Sequence, residues 1–349
     1  ISKRLVIIAE SFAGPVTGGI SAATVLACMF FGAISGSGPA TTAAVGMLMI
    51  PAMVKRGYDK GYASAITASS GGLGIVIPPS IPMVIFGISA IGLTVPEAAV
   101  AKHGVFQSVS ITKMFVAGVL PGLVISISLL TLNYFRCRSL GYKGTDEGWN
   151  FKQIRHALRT GIWSALAPLV ILGGIYSGFF TPTESAIVAI FYTLFIGTFV
   201  HLLILFTATV FGRLLVENNI PGMVAESMLS VTDNLYLIWL LIIVFLLFVG
   251  MFMETLAAIM ILTPVLLPVT YSLGIDPVHF GIVMVCSLSI GFSTPPLGEN
   301  LFVASGISNI SLEEVTVKAL PFAFVSTFAV FIIAFFPEIS LFLPRLFGY

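Results

Sequence analysis

Ser35, Ser37, Thr41 and Thr42 crowd into ISGSGPATTAA at residues 34–44, and Ser69 and Ser70 stand just before GGLGIVIPPS at 71–80. Hydroxyls interleaved with glycine present both side-chain and backbone oxygens, the hard donors that suit a cation such as sodium. The candidate ligands in this half are Ser35, Ser37, Gly38, Thr41, Ser70, Gly71 and Gly74. None is a carboxylate, so backbone carbonyls are expected to do much of the coordination. Close packing of two helices through small residues is the competing explanation of the same composition.

A second constellation lies further along. Glu254 and Thr255 precede a run that ends at Gly291, Ser293 and Thr294, and these five are the candidate cation ligands of the second half. Glu254 is flanked by apolar chain, and an ionisable group at membrane depth is a functional candidate by default. It could be a cation ligand, a group behind the ligands or a proton carrier, or a structural carboxylate bonded to backbone. Helix N-termini that follow a break present free N–H groups and partial positive charge, which suit a carboxylate anion. The candidates there are Pro39 and Thr42, Pro79 and Ser80, and Pro296, Glu299 and Asn300. No Lys or Arg lies at these breaks, so an anion would depend on helix ends and co-bound cations. Glu299 would repel an anion unless protonated or paired, and it could equally fix the turn.

The elements that position these residues are membrane helices. The chain is 57% hydrophobic and 9% charged, with a net charge of +1. Soluble domains carry about 25% charged residues. Apolar runs of about 18–25 residues recur, the length of a bilayer-spanning helix. The charge balance suggests no nucleic-acid partner. Cys28, Cys137 and Cys286 are too far apart for metal or disulfide spacing and are expected to pack. His103, His156, His201 and His279 have no second ligand at metal spacing. No GxxxxGK[ST] loop appears, so ATP is not expected to act on this chain directly.

Glycine and proline weaken helices, and unpaired backbone at bilayer depth survives only inside protein or against a polar cavity. The clusters at 35–42 and 69–80 therefore predict broken helices that meet near the membrane midplane. The punctuation recurs. A shift of 217 residues lays 34–90 on 251–307 with eight of 57 positions identical. The identities include Pro51/Pro268, Gly57/Gly274, Asp59/Asp276, Gly74/Gly291 and Pro78-Pro79/Pro295-Pro296. Matching interruptions in two halves point to a secondary transporter built from repeats.

The predicted fold is an all-α polytopic membrane protein of inverted repeats, with two re-entrant helical hairpins and two broken transmembrane helices. Residues 1–13 read as an interfacial segment. Residues 14–91 form the first repeat, a re-entrant hairpin plus the broken span 62–91. Residues 92–217 are connector and scaffold helices, with spans at 113–135, 161–179 and 182–200. Residues 218–307 form the second repeat, and 308–349 hold a last span at 320–336 and the tail. Glu184 in TPTES is read mainly as a helix N-terminal charge or anchor. The 136–159 loop holds six Lys/Arg against Asp146 and Glu147, which places it in the cytoplasm. The base of the first hairpin carries Lys55, Arg56 and Lys60 where the second carries only Asp276, so the repeats are expected to be inverted. The nearly unbroken apolar run 183–215 would make a helix of about 50 Å, longer than a core of about 30 Å. Two spans, with Glu217, Glu226 and Asp233 outside, fit the charges better. The start at Ile1 rather than Met suggests that native residues precede it.

The chain resembles the large membrane subunit of TRAP (tripartite ATP-independent periplasmic) transporters. The resemblance rests on FGAISGSGPATTAAVGMLMIPAMVKRGYDKGYASAITASSGGLGIVIPPSIPMVIFG, LAPLVILGGIYSGFFTPTESAIVA and GMFMETLAAIMILTPVLLPVTYSLGIDPVHFGIVMVCSLSIGFSTPPLGENLFVASGI. It covers nearly the whole chain. Family members usually have further helices before Ile1 and a connector where His201 meets Leu202, and 102–109 looks like an insertion. The resemblance implies a bacterial inner-membrane subunit, working with a small membrane (Q) subunit and a periplasmic substrate-binding protein. It implies sodium-coupled import of organic acid anions, such as sialic acid or C4-dicarboxylates, by an elevator motion. No other cofactor is implied. A stand-alone sodium-coupled carboxylate carrier or antiporter is the alternative, and a membrane-embedded enzyme subunit a remote one.

Overall fold

Short polar residues start most of the helices. The computed structural model describes residues 13, 16–91, 93–144, 223, 234–296 and 298–349. The first repeat region holds α1 (Gly19–Ser35), α2 (Gly38–Lys55), α3 (Lys60–Gly71), α4 (Leu73–Val76) and α5 (Ile81–Ala90). Then come α6 (Glu97–His103) and the long α7 (Ile111–Leu140). The second region holds α8 (Leu235–Phe252), α9 (Thr255–Ser272), α10 (Pro277–Gly291) and α11 (Glu299–Ser308). The last two are α12 (Leu312–Phe335) and α13 (Glu338–Leu346). The described residues contain helices and no strand.

Each start has a local cause. Asp59 accepts the Tyr62 N–H at 2.8 Å at the head of α3, and Asp276 accepts the Val278 N–H at 2.8 Å at the head of α10. Ser110 and Ser311 cap α7 and α12 in the same way. Such side chains satisfy backbone donors that the first turn leaves unpaired. Gly57 and Gly274, both in the left-handed region, turn the chain just before each capping aspartate.

The 217-residue repeat is visible in the helices. Shifted by 217, α2 falls on α9 residue for residue, and α5 lies within one residue of α11. The Pro78-Pro79 and Pro295-Pro296 bonds are both cis. Each repeat also has one place where two helices nearly touch. A Cβ on Gly32 would lie 2.6 Å from the Gly74 Cα, and a Cβ on Gly291 would lie 2.6 Å from the Gly250 carbonyl carbon. Only glycine permits such an approach.

Among the described residues, four helices are long and apolar enough to cross a membrane: α7, α8, α9 and α12. The segment Lys60–Val76 joins Ile81–Ala90 with a 42° bend and makes a fifth if counted as one broken span. Large apolar side chains such as Phe324, Phe328 and Phe248 point outward, as expected where the surrounding solvent is lipid. The small and hydroxylated residues of α3 and α10 are packed inside.

Several boundaries differ from expectation. The predicted spans 113–135 and 320–336 are longer helices, 111–140 and 312–335. In α12 the extra turns carry Glu313 and Glu314, which hydropathy excludes but which suit a helix N-terminus. The connector that precedes the predicted span 113–135 contains α6. Its His103 ring lies 3.2 Å from the Ser272 carbonyl, and Phe106 meets Tyr271 edge-on at 4.9 Å. The segment 102–109 thus packs on the end of α9. Residues 1–12, the loop beyond Gly144, the spans at 161–179 and 182–200, Glu184, and the run to Asp233 with the 201–202 junction lie outside the described residues. The three cysteines are free and buried.

Candidate substrate and cation site

The first tip is a compact knot of oxygen atoms. Ser35 ends α1, Gly36 turns the chain at φ 62°, and Ser37 caps α2. The Thr41 hydroxyl donates to the Ser37 carbonyl at 2.7 Å, and Ser35 Oγ lies 2.8 Å from Thr41 Oγ1. Gly74, from the break between α3 and α5, sits directly on this knot. A Cβ there would lie 2.6 Å from the Ser37 carbonyl oxygen and would collide with Thr41 Oγ1. The structure therefore brings Ser35, Ser37, Thr41 and Gly74 to one point. Gly38 is buried beside them and faces Asn300, whose Oδ1 would be 3.3 Å from an added Cβ.

One turn along α2 a second point forms, from both repeats. Gly71 packs against Thr42 so closely that a Cβ would overlap Thr42 Oγ1, and that Cβ would lie 3.3 Å from Asn300 Nδ2. Asn300 belongs to α11. Its amide donates to the Ala68 carbonyl at 3.2 Å and to Ser293 Oγ at 3.4 Å, while Ser293 donates to the same Ala68 carbonyl at 2.9 Å. Two side chains of the second repeat thus bond a carbonyl at the end of α3. Ser70, Thr42 and Asn300 are fully buried.

The second tip is simpler. Glu254 is the N-cap of α9, accepting N–H bonds from Leu256 at 2.9 Å and Ala257 at 3.1 Å through one carboxylate oxygen. That is the backbone-bonded arrangement left open by the sequence, and it spares the other oxygen for a further role. Thr255 is buried next to it. Gly291 packs against Gly250, and Thr294 donates back to the Ile290 carbonyl at 2.7 Å. Ser293 faces the first repeat instead of this tip.

The candidate anion-binding residues are spread more widely. Pro39 lies in the first turn of α2 and Thr42 just after it. Ser80 caps α5 and also donates to the Ile75 carbonyl, so its hydroxyl is spent holding the break. Pro79 is half-buried beside it, and Pro296 and Glu299 are exposed.

Seven buried side-chain polar atoms have no hydrogen-bond partner among the described residues. Five of them, on Thr42, Ser69, Ser70, Thr255 and Asn300, lie at the breaks or tips. Each such group costs about 1–3 kcal/mol in the absence of a partner. Folded chains keep few, so their concentration marks the breaks as places built to meet something else. Ser69, Ser289 and the Ala68 carbonyl were not among the sequence candidates. Ser289 could have been found, because the 217-residue shift pairs it with Gly72.

The comparison with known proteins decides the family. The description "Tripartite ATP-independent periplasmic transporter, DctM component" matches residues 1–202 and 200–339. The chain belongs to the DctM family. It is 42% identical over 364 residues to the isethionate TRAP transporter permease protein DctMQ of Oleidesulfovibrio alaskensis, covering 98% of this chain and 55% of that protein. It is 35% identical to the C4-dicarboxylate TRAP transporter large permease DctM of Rhodobacter capsulatus, and 35% identical to the sialic acid large permease SiaM of Vibrio cholerae. Both of those alignments cover 100% of this chain and 83% of the relative. As a DctM-family chain with several membrane-length helices, it is a multi-pass membrane protein of a transporter, not an enzyme. The two matched segments meet at residues 200–202, the point at which the sequence suggests a missing connector.

Proposed function

We propose that this chain is the large permease subunit of a sodium-coupled importer in a bacterial inner membrane. In this reading it works with a small membrane subunit and receives its substrate from a periplasmic binding protein. The substrate class is an organic acid anion such as sialic acid or a C4-dicarboxylate. The isethionate relative widens that class to small sulfonates. The observation that carries the proposal is the set of unpartnered oxygens at the breaks: Thr42 Oγ1 packs against Gly71, and Asn300 Oδ1 of the other repeat faces Gly38 beside the first tip.

Sodium would take the oxygens of the first tip, from Ser35, Ser37 and Thr41, with carbonyls freed at Gly71 and Gly74. The second tip offers Thr255 and the free oxygen of Glu254. With no Lys or Arg at the breaks, the anion would rest on the N-terminus of α2 and on bound sodium. Residues α1–α5 and α8–α11 would then move as one body past α7 and α12, in an elevator cycle with the tips as re-entrant hairpins of opposite orientation.

The test is uptake of labelled succinate, sialic acid and isethionate into proteoliposomes. These hold the chain with its small membrane subunit, with and without an inward sodium gradient and the binding protein. Uptake that needs both supports the tripartite symporter. Uptake that needs sodium alone would replace it with a stand-alone carrier.

A further inference from the structure

Beside the break lies a small chamber of about 10 Å³. Four serines line it: Ser69 from α3, Ser289 from α10, Ser293 just beyond the end of α10, and Ser326 from α12. Ile125 of α7 and Ala323 of α12 close its outer wall. It therefore lies on the seam between the helix breaks and the α7/α12 layer. It also sits beside the contact of Gly72 with Ser289, the pair that the repeat relates.

Two of its hydroxyls already have acceptors. Ser289 donates to the Gly72 carbonyl at 2.7 Å and Ser293 to the Ala68 carbonyl at 2.9 Å, which leaves their oxygens able only to accept. The other two have no partner among the described residues. Ser69 is 8% exposed and its Oγ is sealed from solvent, while Ser326 is 4% exposed. The chamber thus offers two hydroxyls able to donate and further oxygens able to accept. Its volume is near the 10–15 Å³ or so that a single water requires, and a buried water makes about three hydrogen bonds.

We infer that the chamber is a binding site for one water molecule, which joins Ser69 to Ser326 across the seam. Its hydrogens go to Ser289 Oγ and Ser293 Oγ, and its lone pairs accept from Ser69 and Ser326. Water fits better than a cation. Two of the hydroxyls can only accept and two can donate, a mixed set that a water completes by donating to the first pair and accepting from the second. On the elevator reading above, the water gives both layers a partner that can be exchanged when they part.

The closing experiment does not depend on that reading. An experimental map of the chain in its membrane complex, at a resolution where other buried waters appear, should show a peak within hydrogen-bond distance of Ser69 and Ser326. In the same complex Ser69→Ala and Ser326→Ala should each lower Tm by about 2 °C, and the double variant by little more than one, since both act through one water. Ser69→Thr, which keeps the hydroxyl, tests whether the loss is a packing effect, and it should retain more of the Tm. No peak in a map that resolves other waters, or fully additive losses, would overturn the assignment. A rise of tenfold or more in the sodium concentration for half-maximal uptake by Ser69→Ala would reassign the chamber to a cation and overturn water equally.

Discussion

Ser289 Oγ donates to the Gly72 carbonyl at 2.7 Å, and the two residues are 217 positions apart, the repeat length itself. Equivalent positions of the two repeats therefore touch. A Cβ on Gly72 would lie 2.8 Å from Ser289 Oγ and 3.1 Å from the Ser289 carbonyl oxygen. Gly72→Ala should therefore destabilise the purified protein more than Ser289→Ala, which loses one buried hydrogen bond of about 1 kcal/mol. Thermal unfolding in detergent checks the order. A Gly72→Ala protein as stable as the parent would show that the two breaks are not in tight contact.

Gly71→Ala should abolish uptake, because its Cβ would overlap Thr42 Oγ1. Thr42→Ala in the same chain removes the obstacle. The double variant is expected to recover monodispersity on size exclusion but not uptake, since the Thr42 oxygen is itself proposed to act. Full recovery of uptake would reduce Thr42 to a spacer.

Glu254 holds two N–H groups of α9 through one oxygen. Glu254→Ala should cost about 1 kcal/mol as a lost cap, whereas Glu254→Gln can still accept through its amide oxygen. If the charge also serves the cation, Glu254→Gln will keep its Tm and require several-fold more sodium for half-maximal uptake. Uptake and stability that fall together, with an unchanged sodium dependence, would leave the residue a cap alone.

Ser21 on α1 lies 3.4 Å from Cys137 Sγ on α7, and Asn133 of α7 reaches the Gly18 carbonyl at 3.4 Å. Ser21→Cys should form a disulfide with the native Cys137 under mild oxidation. If α1 slides past α7 during transport, that crosslink will stop uptake and a reductant will restore it. Normal uptake with the crosslink complete would rule out relative movement of these two helices.

Lys318 of α12 meets Asp59 at 3.2 Å, with both side chains 41% exposed. An ion pair so open contributes about 0–1 kcal/mol. Lys318→Ala is expected to shift Tm by no more than about 2 °C, well below the effect of Gly72→Ala.

The helix breaks, their repetition and the membrane class were legible in the sequence because they are local. Gly-Pro clusters, capping aspartates after turn glycines, and apolar runs of span length act within a few residues of where they are written. So α2 and α9 could be matched by a shift, and Ser35, Ser37, Thr41 and Gly74 could be proposed to meet. Which oxygens would find partners was decided only in three dimensions. Ser293 was grouped with the second tip, yet it bonds the Ala68 carbonyl of the first repeat beside Asn300. Ser80 was a candidate for the anion, yet it closes the α4–α5 break. The chamber at Ser69 needs α12, more than 250 residues away, to supply Ser326. A hydroxyl reads the same in a sequence whether it bonds its own turn, another repeat or nothing. Tertiary packing selects among these, because burial removes the water that would otherwise satisfy all of them alike.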